Sequence, residues 1–229
     1  MENAPKQRPA WFYVLVGCGG AAGVALIVCL VSMLTCGKCV SDVGKGVTDP
    51  AVRRENAIKQ LGAIPEGYNV VTSFDVMLGQ TTIMVDSEPL PDGGFDPGLS
   101  AGHHVFVYRH VMSNDNNKNV RDFLMGKEVD PALLMNTGIY ADPDMQLKRG
   151  SLTVDSRKLY YVAQRGPLDG EPGLLTTVLF DCPGNALSIG TWGQLDPAPS
   201  KSKDELELAG TVADEEQLAR FLKPMNPCR

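Results

Sequence analysis

Cys36-Gly37-Lys38-Cys39 is a C-x-x-C motif. In thiol oxidoreductases that spacing lets one low-pKa thiolate attack while the second thiol resolves the intermediate. There the motif opens a helix in a βαβ unit. Here it closes an apolar run and no βαβ pattern follows, so a thiol-redox protein using Cys36 and Cys39 stands as an alternative. Zinc would need two further ligands, and the sequence holds no second C-x-x-C. Cys182 and Cys228 make a different kind of pair. One closes a predicted strand and the other follows the last predicted helix, so a disulfide between them would clamp that helix to the sheet. It would close a loop of about 46 residues, for which the chain-entropy model gives roughly 4 kcal/mol. Such a bridge requires an oxidising compartment.

The three histidines are His103, His104 and His110. His104 and His110 share a strand face but lie about 20 Å apart by strand rise, too far to chelate one ion. Adjacent His103 and His104 are expected on opposite faces. Asp115-x-Asn117-x-Asn119 starts like a calcium loop, but Val120 and Gly126 stand where Gly and Glu are needed. An exposed turn before a helix suits these residues better. Asp86, Glu88, Asp92 and Asp96 share one loop and read as solvated carboxylates rather than a calcium site. No H-E-x-x-H or phosphate-loop pattern is present. Nothing in the motifs calls for a metal or a cofactor. An enzyme would have to assemble its site in three dimensions, with His104, Asp75 and Tyr161 as candidates.

Charge is distributed unevenly along the 229 residues. Between Arg8 and Lys38 there is no Asp, Glu, Lys or Arg, an uncharged run of 29 residues. Its core reads WFYVLVGCGGAAGVALIVCLVSML. A bilayer core about 30 Å thick needs roughly 20 apolar residues of helix, and this run is long enough with tilt to spare. Trp11, Phe12 and Tyr13 cluster at one end, where aromatic rings favour the headgroup level. The run is longer than a signal-peptide core and lacks an A-x-A end, which predicts an uncleaved anchor. Leu15-Val16-Gly17-Cys18 resembles a lipobox, yet more apolar helix follows it. Gly19 and Gly23 form a G-x-x-x-G on which two spans could pack as a homodimer.

The chain therefore divides into a polar tail (1–10), a transmembrane helix (11–35), a Gly-rich juxtamembrane linker (36–49) and a folded domain (50–229). Residues 1–45 carry four Lys/Arg against two Asp/Glu, and the remainder 17 against 25. The overall charge of -6 thus joins a weakly basic anchor to an acidic domain. That domain lacks the basic face a nucleic-acid binder needs. Arg149, Arg157, Lys158 and Arg165 flank one predicted hairpin and read as a solvated strand edge. Asp49-Pro50 predicts a helix start, and Gly62 its stop. Strands are expected over 68–76, 81–85, 105–111, 150–154, 159–164, 174–180 and 187–192. Helical pieces are expected over 119–125, 131–135 and 214–222. The pattern predicts an α+β fold, an antiparallel sheet flanked by helices, preceded by one N-terminal transmembrane helix.

Three stretches, RPAWFYVLVGCGG, DPAVRRENAIKQLGAIPEGY and the close from FDCPGN to DEEQLARFLKPMNPC, resemble those of bacterial single-pass membrane-anchored envelope proteins of unassigned function. That resemblance implies an envelope location and carries over no catalytic residue. The expected function is a membrane-tethered, non-catalytic domain that binds a protein partner or scaffolds a complex. The expected localisation is single-pass in the membrane with the domain periplasmic. Its partners would be the lipid bilayer and a protein, with no nucleic acid. The alternatives are an extracytoplasmic enzyme and the thiol-redox protein.

Overall fold

The computed structural model describes residues 44–45, 48–76, 79–86, 102–111, 115–134, 139, 142–183 and 186–228. The expected span, with Gly19 and Gly23, lies outside them, as do Cys36 and Cys39. Among the described residues no helix is long and apolar enough to cross a membrane.

The fold is α+β: one antiparallel sheet of seven strands, with helices on both faces. The first helix, α1 (Pro50–Leu61), starts as its sequence predicts. Asp49 caps it, accepting from the amides of Ala51 and Val52, and Pro50 fills the first position, where no donor is needed. Gly62, at φ 88°, ends it, its amide donating a hydrogen bond to the Ile58 carbonyl.

A meander follows: β1 (Asn69–Val76), β2 (Gly79–Val85) and β3 (His104–Val111). The chain then crosses one face through α2 (Asp115–Leu124) and a 3-10 turn (Pro131–Leu134). A second meander is β4 (Gln146–Val154), β5 (Arg157–Leu168), β6 (Glu171–Phe180) and β7 (Leu187–Leu195). Its last strand pairs with β3, giving the order β1-β2-β3-β7-β6-β5-β4. A short 3-10 turn (Lys203–Glu205) and α3 (Glu215–Leu222) close the fold.

Every predicted strand is present, and several run longer than expected. Gly166 and Pro167 would ordinarily end β5. Instead Pro167 sits directly opposite Pro172 across the β5–β6 ladder. A proline has no amide to give, so two facing prolines fit a non-hydrogen-bonded pair without breaking the ladder. The turn beyond them uses Asp169 and Gly170, both at positive φ. The helix expected at 119 begins earlier, at Asp115, so the D-x-N-x-N residues form its first turns rather than a loop.

Strand alternation sends apolar side chains to both faces. Phe106, Tyr108, Val178, Phe180, Tyr161 and Trp192 meet Ala57 and Leu61 of α1 and Leu218, Phe221 and Leu222 of α3. On the other face Val162, Leu179, Leu187 and Ile189 meet Val120, Phe123 and Leu124 of α2. Gly190 lies beneath two rings of the first core. A Cβ there would stand 2.5 Å from Phe106 and 3.1 Å from Phe180.

Candidate functional site

The β2–β3 register sets Val85 opposite Val105, so the next residues out, Asp86 and His104, meet at one end of the sheet. The Asp86 carboxylate accepts from the His104 amide at 2.8 Å and bonds the His104 ring Nδ1 at 2.6 Å. Its other contact is His103 Nδ1, at 3.1 Å. The two histidines were expected on opposite faces. They converge because the strand begins only at His104, leaving His103 in the preceding turn, free of the alternation. Burial alone would raise the Asp86 pKa. The His104 amide, the His104 ring and the His103 ring outweigh it and hold the carboxyl below its ordinary value.

His104 stacks on Trp192, ring centroids 5.4 Å apart, and Trp192 stacks on Phe221 at 4.3 Å and 6°. Tyr68 and Phe106 close on Phe221 at 5.0 and 5.1 Å. The buried indole Nε1 donates to the Tyr68 hydroxyl at 2.7 Å, so the column leaves no orphan donor. Burial pushes the Tyr68 hydroxyl well up, and the Trp192 bond only partly offsets it, so this tyrosine stays protonated at physiological pH.

An open groove of about 930 Å³ runs beside this column. Trp192 and Phe221 form its apolar floor. Glu66, Asp155, Arg220 and Lys223 supply charge, and Pro65, Gly67 and Pro224 shape the walls. Arg220 leans on Glu216 at 2.9 Å, a pair so exposed that it adds little stability.

The other candidates lie apart from one another. Asp75 bonds Gln80 at 2.8 Å, in register with His110, at the far end of the sheet from His104. His110 Nδ1 meets the buried Ser188 hydroxyl at 2.7 Å. The Tyr161 hydroxyl donates to Glu215, which Lys148 also pairs at 3.1 Å. Burial and that neighbouring carboxylate raise the Tyr161 pKa, while the tyrosine and the lysine lower that of Glu215. The structure therefore does not bring His104, Asp75 and Tyr161 together. Of the loop carboxylates Asp86 is described and engaged by histidines, and Glu88, Asp92 and Asp96 lie outside the described residues. Among the described residues no group of three or more His, Cys, Asp or Glu is arranged to hold a metal ion.

Cys182 and Cys228 lie at disulfide bonding distance, their Cα atoms 4.9 Å apart. Cys228 lies on the C-terminal tail that follows the groove residues Lys223 and Pro224. That tail is also held by the buried Met225, by Asn226 donating to the Leu61 carbonyl, and by Arg157 on the Met225 carbonyl.

Sequence reasoning missed the Asp86–His104 pairing, although a signal existed. Asp86 stands just after one predicted strand and His104 just before the next, so an in-register hairpin would place them opposite each other. The groove had no such signal, since its residues come from four separate stretches of chain. Compared with known proteins, the chain matches no protein-family model and no curated sequence.

Proposed function

We propose that this chain is a membrane-tethered binding module of the cell envelope. Residues 11–35 form its single span, and the acidic domain sits on the periplasmic side, where it engages a protein partner. The observation that carries this reading is the groove: an apolar floor of Trp192 and Phe221 rimmed by charges of both signs. That is the anatomy of a protein-binding surface, where an aromatic centre supplies affinity and a charged rim supplies orientation. The Cys182–Cys228 pair suits an oxidising compartment, which supports export. The uncharged run of 29 residues supports the span.

The test is a photo-crosslinking residue placed at Lys223 in intact cells. A discrete adduct, missing when the same residue is placed at exposed Lys59, supports the reading. Equal adducts from both positions, or none, count against it.

One observation favours a second reading, the extracytoplasmic enzyme: a carboxylate orients the His104 ring next to a groove, as a carboxylate orients a general base. On that reading His104→Ala abolishes an activity without weakening partner capture. On the binding reading there is no activity to lose, and removing the ring that stacks on Trp192 weakens capture.

A further inference from the structure

The two edges of the sheet are finished differently. At β1, α1 lays Arg53, Asn56 and Gln60 along the strand, and their side chains donate to the carbonyls of Val71, Ser73 and Phe74 at 3.0, 3.1 and 2.9 Å. That edge is sealed. At the opposite edge, among the described residues, β4 pairs with β5 alone. Lys148, Arg149, Ser151 and Thr153 are all exposed along it.

The open edge is also basic, within an acidic domain. Neither β4 nor β5 contains an Asp or Glu, whereas the two strands carry Lys148, Arg149, Arg157, Lys158 and Arg165. Two of these cations are spoken for. Arg165 is drawn into the protein by the buried Asp196 at 2.9 Å, and Lys148 pairs Glu215. The other three have no carboxylate partner among the described residues. Arg149 lies over the Phe123 ring at 3.9 Å and donates to the Phe123 carbonyl, Lys158 lies over Tyr160 at 5.0 Å, and Arg157 donates to the Met225 carbonyl.

We propose that β4 is a docking edge that receives an extended, acidic segment of a partner protein, paired antiparallel or parallel along residues 148–154. A free edge offers main-chain donors and acceptors to a strand, and the surrounding cations select its charge. A second copy of this chain is disfavoured, because two basic strands would lie side by side. An anionic lipid surface is disfavoured for a different reason. A lipid headgroup makes no use of the main-chain donors and acceptors that a strand edge offers. The turn residue Asp155 lies on the groove rim, so a strand following β4 runs toward the groove.

This inference rests on the binding-module reading, and the two can fail separately. The full chain in detergent micelles is mixed with a synthetic peptide alternating Glu and Val, with its Lys–Val counterpart, or with phosphatidylglycerol vesicles. Amide exchange is then followed along β4. The acidic peptide slows exchange over 148–154 by about tenfold or more, the basic peptide and the vesicles do not, and Arg149→Glu with Lys158→Glu weakens peptide binding by about tenfold. Both substitutions are at exposed positions, and an unchanged melting temperature checks the fold. Lack of β4 protection by the acidic peptide, alongside a surviving Lys223 adduct, overturns the docking edge and leaves the groove standing. Protection by vesicles, or protection that grows with protein concentration alone, overturns it in favour of lipid or self-association.

Discussion

Asp86 is the residue whose loss should report most clearly on the site. Asp86→Ala removes the acceptor of two imidazoles and one amide, and should cost about 1–3 kcal/mol in urea unfolding. Its pKa is lowered in the folded state, so its contribution is complete above the ordinary carboxylate value of about 3.9 and is lost as pH falls through the lower folded value. Asp86→Asn should therefore flatten the acid limb of the stability curve below about pH 4. An acid limb unchanged by that substitution would show that Asp86 is not held as described. Gly190 tests packing at the same scale. Gly190→Ala drives a methyl group against Phe106 and Phe180, and should destabilise by about 1–3 kcal/mol. Little of this was legible in the sequence. Nothing local marks Gly190, because the rings that exclude its side chain come from two other strands.

Among the elements, α1 does two things that its apolar pattern alone does not announce. Ala57 and Leu61 bury it, while Arg53, Asn56 and Gln60 share another stripe and seal the β1 edge. Gln60 is the most deeply committed of the three, because it also accepts from the Thr82 hydroxyl at 2.7 Å, and Thr82 bonds Ser73. Gln60→Ala should cost about 1–3 kcal/mol by leaving that buried network short of a partner, read as a lower denaturant midpoint at unchanged slope. The strands were legible because alternation and β-branched runs persist through them. Their ends were not, since the facing Pro167 and Pro172 are tolerated only through a register that depends on the pairing of β5 with β6. The caps of α1 were legible to the residue, because Asp49, Pro50 and Gly62 act on their immediate neighbours.

In the molecule as a whole, sequence composition separates an uncharged, apolar N-terminal stretch from an acidic folded domain, and the disulfide ties the C-terminal tail to the chain just beyond β6. Reducing the Cys182–Cys228 pair frees a 46-residue connection. By the loop-entropy argument it should lower unfolding free energy by about 4 kcal/mol, measurable by denaturation with and without a dithiol reductant. The groove wall at Lys223 and Pro224 should loosen with it, so crosslinking from Lys223 should fall on reduction. The uncharged run and the groove were unequally legible for a physical reason. A run is set by local composition, whereas a groove is set by contacts distant in sequence.

The claim that this is a binding module working through its Trp192–Phe221 groove is tested most directly by one comparison in intact cells. The adduct from a crosslinker at Lys223 is measured in the otherwise native chain and in a chain carrying Arg220→Glu, a reversal of charge at a largely exposed rim position. The account predicts a discrete adduct that falls by about tenfold or more with the reversal, at unchanged protein level and melting temperature. An adduct of undiminished yield in the Arg220→Glu chain would contradict it.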